Sequence, residues 1–479
     1  MKLILVVCSF LLLSQGLIAQ ASLIKDINTG VNSAFAYDVD DFVGFGNDVY
    51  FVAKDNSTGY ELWKSNGTSQ GTVLLKDINA GELSSTPRHL TVMGNKLFFT
   101  ASTAAEGREL WVTDGTELGT KMVKNINVGT SDAIRENAPP MVVYKDALYF
   151  AANNGTNRGQ LWKSNGTDTG TIMVKDLGIF SSAIDKLTLF QNKIFFFEYN
   201  TLYASDGTDT GTVKIKILSN IPEFYVTKTY VYKDRLYMGL GRGYYGTEPW
   251  VSDGTDAGTK QLKDIVPGDI DGSIPENFYG FKDYVYFDGS GMWRTDGTPV
   301  GTTRVISNSL RTSQGDRINF VDNGSKMFFA ALTGSFNKDL CITDGTVAGT
   351  KILRYLNGEV LGSDPRWFTL VNGKVYFSAS GNSLGRELWV TDGTSLGTVV
   401  AADIVPGGNE SSPQNLFYWN GNLYFTAYTS TNGRELWKLT ITTPTKELQE
   451  TTDLFQLLQN PIQDEITRSE ERRVGKECA

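Results

Sequence analysis

Apolar and polar residues alternate with the period of β-structure along nearly the whole chain. A stretch near residue 100 shows the unit most clearly. His89 to Met93 reads as a first strand and Gly94-Asn95 as a turn. Lys96 to Ser102 reads as a second strand whose near-continuous apolar character predicts burial on both faces. Glu109 to Thr113 alternates Leu110 and Val112 against Trp111 and Thr113, and Lys121 to Ile126 closes the unit. Asn-Gly and Asp-Gly at the connections supply positive φ at little cost. No segment sustains a helical period. The pattern predicts an all-β chain built from units of four short strands.

The units repeat. The glycine of Asp/Asn-Gly-Thr recurs at Gly67, Gly115, Gly166, Gly207, Gly254, Gly297, Gly345 and Gly393, about 41 to 51 residues apart, a spacing typical of propeller blades. Each copy is followed by x-x-Gly-Thr. A ninth copy, Glu435-Leu436-Trp437, lacks the Asp-Gly-Thr. Four strands per unit, repeated radially, is the propeller pattern, and an open solenoid is its rival. The ends of the chain favour closure. Leu23-Ile24-Lys25-Asp26-Ile27-Asn28 matches the fourth strand of other units, such as Leu75-Lys76-Asp77-Ile78-Asn79, and the ninth unit lacks a fourth strand. The expectation is a β-propeller of about nine blades, with eight as the alternative count, closed by the N-terminal strand completing the last blade.

These residues carry a resemblance. Glu61-Leu62-Trp63, Glu109-Leu110-Trp111, Glu387-Leu388-Trp389 and Glu435-Leu436-Trp437 resemble the signature of the bacterial ELWxxDGT repeat proteins, over nearly all of residues 21–442. Gln160, Pro249, Met292 and Cys341 depart from it. The resemblance implies an exported or surface protein and no particular enzymatic activity.

The two ends read differently from the repeats. Residues 1–20 have a basic start, an apolar run from Leu3 to Leu13 and small residues before Ala21, the layout of a signal peptide. Residues 443–453 read as a linker. Residues 454–467, with Asn460-Pro461 and then Asp464 and Ile466, resemble the opening of a type IX secretion C-terminal sorting domain, truncated here. Residues 468–479 resemble translated sequencing adapter, and Arg468 to Cys478 is set aside for that reason. The expected destination is secretion or the outer-membrane cell surface, with the secretion machinery as a partner.

Chemistry enters last. The net charge of −9 argues against a nucleic-acid partner. The chain has one histidine, His89, so a histidine-based triad or multi-histidine metal site must pass through it. Asn66, Asp114, Asn165, Asp206, Asp253, Asp296, Asp344 and Asp392 head the repeat turns. They could suggest calcium, but they lack the dense carboxylates of a calcium loop, and a turn-forming role explains them better. No cofactor is expected beyond that calcium alternative. The recurring glutamates (Glu61, Glu109, Glu248, Glu387, Glu435) read as hydrogen-bonding groups between blades, because an active site needs unlike groups converging once.

The loops between second and third strands differ in every unit, so a unique site is expected on their face. Arg242, Tyr244 and Tyr245 are its candidates, an aromatic pair that can stack on a sugar or anchor a protein. The functional expectation is a non-enzymatic binding or adhesion module for glycan or protein. The alternatives are a polysaccharide-active hydrolase or lyase and a structural scaffold.

Overall fold

The computed structural model describes residues 20–36, 42–156, 159–178, 184–218, 224–242, 246–267, 272–305, 320–332 and 337–441. Among them are nine four-stranded antiparallel sheets, each in simple meander order. The molecule is a nine-bladed β-propeller, and the one helical element among the described residues is the single turn Gly358–Leu361. The second unit runs Arg88–Met93, Lys96–Thr103, Gly107–Thr113 and Lys121–Lys124. Its fourth strand ends two residues before the expected Ile126, because the chain there turns toward a buried carboxylate described below.

First strands of neighbouring blades touch, as Asp185–Phe190 does Phe224–Tyr232 and Arg366–Val371 does Gln414–Trp419. They therefore form the inner wall. The 2→3 loops and the crossovers to the next blade share one face. The 1→2 turns and the Asp-Gly-Thr connections share the other.

The ring closes as the ends of the sequence imply. Ser22–Lys25 pairs antiparallel with Gly433–Thr440 and completes the sheet begun by Gln414–Trp419 and Asn422–Thr429. This strand is shorter than Leu23 to Asn28. Beyond Lys25 the amides of Ile27 and Asn28 leave the ladder and donate to the Glu435 carboxylate at 2.9 and 3.2 Å.

The core lies between blades. Trp111 packs with Phe99 of its own blade and with Tyr50, Leu62 and Leu75 of the preceding one. Trp63 packs with Phe51 and, across the closure, with Tyr424 and Leu436. The repeated tryptophan is thus an inter-blade filler, each burial contributing about 1.5–3 kcal/mol.

Each Asp-Gly-Thr connection is a self-satisfied turn. Asp114 Oδ1 accepts from Thr116 N and Oγ1 at 2.9 and 2.7 Å, and Thr116 Oγ1 accepts from Gly119 N at 3.0 Å. Thr113 and Thr120 share a buried 2.8 Å hydroxyl contact beneath it. The two glycines serve different ends. Gly115 has φ +94°, which a side chain resists. At Gly119 a Cβ would stand 2.0 Å from Asp114 Oδ1. Asn66 and Asn165 make the same bonds at 3.0 and 2.7 Å, since only the one oxygen is needed.

Removing residues 21–28 should open the ring. It exposes partners of Ile24 and Ile27, each buried and worth about 1.5–3 kcal/mol, and strips donors from a buried carboxylate. The thermal midpoint of the truncated chain should fall by several degrees. A truncated chain that melts with the full one would show that the N-terminal strand does not close the fold.

Candidate functional site

The Glu of each Glu-Leu-Trp lies in the first residues of the third strand and is buried there, Glu61, Glu109, Glu387 and Glu435 being fully shielded from solvent. Its carboxylate catches the crossover that leaves for the next blade. Glu61 accepts from Ile78 N at 3.2 Å, Asn79 N at 3.3 Å and Ser85 N at 2.9 Å, and from Ser85 Oγ. Glu248 does the same with Ile265, Val266 and Ser273, and Glu387 with Ile404 and Ser411. Where the sequence departs, the contact is rebuilt. Gln160 accepts from Leu177 N at 2.6 Å and donates to Gly178 O at 3.3 Å. The shorter Asp339 reaches Ser363 N at 3.2 Å. These carboxylates organise loops and do not converge on a substrate. Their reading as hydrogen-bonding groups between blades matches this geometry.

Burial is the main influence on their protonation, and the donated N–H bonds oppose it. Burial pushes Glu109 and Glu387 up to about 7 and Glu435 up to about 8. A folded-state value above the unfolded one means the folded chain binds more protons between about pH 4.5 and 8. The stability these groups contribute is therefore full below the unfolded value and is lost as pH rises through 7 to 8. The thermal midpoint should fall between pH 5.5 and pH 8.5. Glu435→Gln, which copies the natural Gln160, should flatten that fall. An unchanged pH slope in the variant would place the dependence elsewhere.

A second recurrent group sits beside the glutamate. In the crossovers, Asn79 Nδ2 donates to Ser84 O at 3.1 Å and its Oδ1 accepts from Ala104 N of the next blade at 3.2 Å. Asn28 is the equivalent residue where the ring closes. Its Nδ2 donates to Ser33 O at 2.9 Å. Its Oδ1, in a residue 4% exposed, has no donor. Here the next blade's 2→3 loop curls on itself instead, with Asp55 Oδ1 accepting from Ser57 and Thr58. The result is a cavity of about 550 Å³ lined by Asn28, Phe35, Lys54, Asp55, Tyr60 and Arg434, among others. Lys54 Nζ lies 5.2 Å from the Tyr60 ring centre. Arg434 is buried and donates to Ser412 O at 2.9 Å. This seam cavity is the candidate site.

The expected site residues fall elsewhere. Tyr244 and Tyr245 lie outside the described residues. The backbone of Arg242 ends a second strand, paired with Phe224 and Gly246. His89 is half-buried, with Nδ1 3.3 Å from Thr100 Oγ1 of its own blade and Nε2 3.0 Å from Ala138 O of the crossover that follows. Burial is the first cause that lowers its basicity. Cys341 is fully buried, and burial pushes its thiol up. Among the described residues no group of three or more His, Cys, Asp or Glu is placed to hold a metal ion. Sequence reasoning missed Asn28, Lys54 and Arg434. One signal was present: Tyr60 stands before Glu61 where Arg108, Arg386 and Arg434 precede their glutamates.

No family model matches the chain, and no curated protein does. Solved structures do. A puromycin hydrolase is similar over 72% of this chain and 59% of its own length, at 11% identity and a TM-score of 0.40. A puromycin-hydrolyzing peptidase of Mycobacterium tuberculosis is similar over 72% and 59%, at 9% identity and a TM-score of 0.39. A structure from a study of two prolyl endopeptidases is similar over 71% and 52%, at 12% and 0.37. The chain thus spans little more than half the length of these proteins. The expectation of a non-enzymatic binding or adhesion module for glycan or protein finds no support here: the similar structures are hydrolases and peptidases, and that expectation is not kept. At these similarities no residue role and no substrate passes to this chain.

Proposed function

We propose that this chain is an exported ring protein whose working site is the seam cavity, and that the cavity receives a small polar molecule. The buried, donor-less Oδ1 of Asn28 carries the reading. A buried acceptor left unpaired costs about 1–3 kcal/mol, and the equivalent Asn79 is satisfied from within the fold. A molecule offering an N–H or O–H to Asn28 recovers that loss. The Lys54 ammonium, held against Tyr60, complements an acidic or carbonyl group on the same molecule.

Export is supported by the apolar run and small-residue boundary of residues 1–20. Membership of the ELWxxDGT repeat proteins is supported by the motif copies. Type IX sorting is supported by residues 454–467, which makes the secretion machinery a partner and the cell surface or medium the destination.

The test is a calorimetric titration of the full chain with hydroxy acids, amino acids and small amides. Mass spectrometry of the same samples reads any turnover. One class should saturate the protein, and Lys54→Met should weaken it about tenfold, the effect of roughly 1.4 kcal/mol. If no class binds, or if Lys54→Met binds as the parent does, the seam cavity is not the working site.

A further inference from the structure

A second cleft lies on the opposite face, where the ring itself displays what would fill it. The first and sixth blades share an inner-strand pattern, Gly44-Phe45 and Gly280-Phe281. In each, an aromatic ring from the preceding blade occupies the room left by the glycine. A Cβ would stand 2.4 Å from Trp419 at Gly44 and 2.1 Å from Tyr232 at Gly280. Each phenylalanine lies against the Asp-Gly-Thr turn of the following blade. A Cβ on Gly115 would be 3.9 Å from Phe45, and one on Gly345 would be 4.0 Å from Phe281. The two places are built alike.

They differ at the next residue. In the sixth blade Lys282 folds over Phe281, its Nζ 5.1 Å from the ring centre, and donates to Asp344 O at 2.6 Å. The third blade repeats this, with Lys145 Nζ 4.8 Å from the Tyr144 ring centre and 3.5 Å from Asp206 O. In the first blade the residue is Gly46. Phe45 is left uncovered, Gly46 offers nothing to the Asp114 carbonyl, and a cleft of about 590 Å³ opens among Phe45, Gly46, Val92, Asp114 and Trp419.

The cleft suits a cation. The Phe45 ring attracts an ammonium through its quadrupole, as Phe281 and Tyr144 do in their blades. Asp114 is at its edge, and Asp48, 3.5 Å from Lys64 Nζ, stands nearby where Lys96 and Lys193 begin the equivalent strands. Burial first, and then Asp48 and Asp114, push Tyr50 beneath them up to about 12. Lys64 is close and donates to Gly115 O at 2.9 Å. It does not exclude a second cation, because Lys163 and Arg294 make the same contact beside Lys145 and Lys282.

We propose that this cleft binds a lysine side chain presented by a peptide, its ammonium taking the place over Phe45 and at the Asp114 carbonyl that Lys145 and Lys282 fill in their own blades. The probe is Nα-acetyl-lysine methylamide, followed by ligand-observed NMR on the full chain, against its Nε-acetylated form. The free amine should saturate, and the acetylated form should bind at least tenfold more weakly. Gly46→Lys should abolish binding by filling the cleft from within, and Gly46→Ala should retain it. The lysine is tolerable there, since Gly46 has φ +61° and Lys282 holds φ +57°. Asp114→Asn, which keeps the turn as Asn66 and Asn165 do, should weaken binding several-fold, and it decides the matter should Gly46→Lys fail to fold. Absence of saturation, equal binding of the two probes, or full binding by Gly46→Lys would each overturn the assignment. So would an Asp114→Asn variant that binds undiminished.

Discussion

A carboxylate buried at the head of the third strand, holding the amides of the crossover that follows, is the contact on which the ring depends. A crossover in a propeller leaves one sheet and enters the next, so its N–H groups have no ladder to join. Buried without partners they would each cost about 1–3 kcal/mol. Glu61, Glu248, Glu387 and Glu435 take several of these N–H groups at once, and so fix where the next blade begins. The same device closes the ring: Glu435 holds Ile27, Asn28 and Ala34, residues from the far end of the sequence. Gln160 and Asp339 show that the requirement is for an acceptor at this point, since an amide and a shorter acid both meet it.

On the other face the constraint is steric. The Asp-Gly-Thr-x-x-Gly-Thr turn folds its acidic side chain back onto its own backbone, so the second glycine must leave room for the carboxylate and the first must take positive φ. The turn then presents carbonyls outward, and cations of the preceding blade reach them: Lys64, Lys163, Lys326 and Lys438 each donate to such a glycine carbonyl. Charge alternates with backbone dipole from blade to blade.

The seam cavity and the Phe45 cleft both border the first blade. Identical units pack identically, and every repeated contact is satisfied by its neighbour's copy. A site arises where a copy departs: Gly46 in place of a lysine, or a 2→3 loop that offers no amide to Asn28. The first blade is also where the ring closes. Its neighbour across the seam is drawn from both ends of the chain.

Much of this was legible along the chain. The period-two alternation, the spacing of Asp-Gly-Thr and the match of Leu23 to Asn28 with a fourth strand point to four-stranded blades, about nine of them, and closure through the ends; the structure decides the count at nine. Those are local or repeated features, and a repeat declares its own neighbours. The turn role of Asn66 and Asp114 was legible too, because an Asx turn involves residues two apart. The sites were not. Asn28 Oδ1 is without a donor only because a loop from another blade fails to reach it, and Phe45 is uncovered only because Lys282 shows, in a blade more than two hundred residues away, what should cover it. Vacancy is a relation between distant parts of the chain, and the tertiary structure alone decides it.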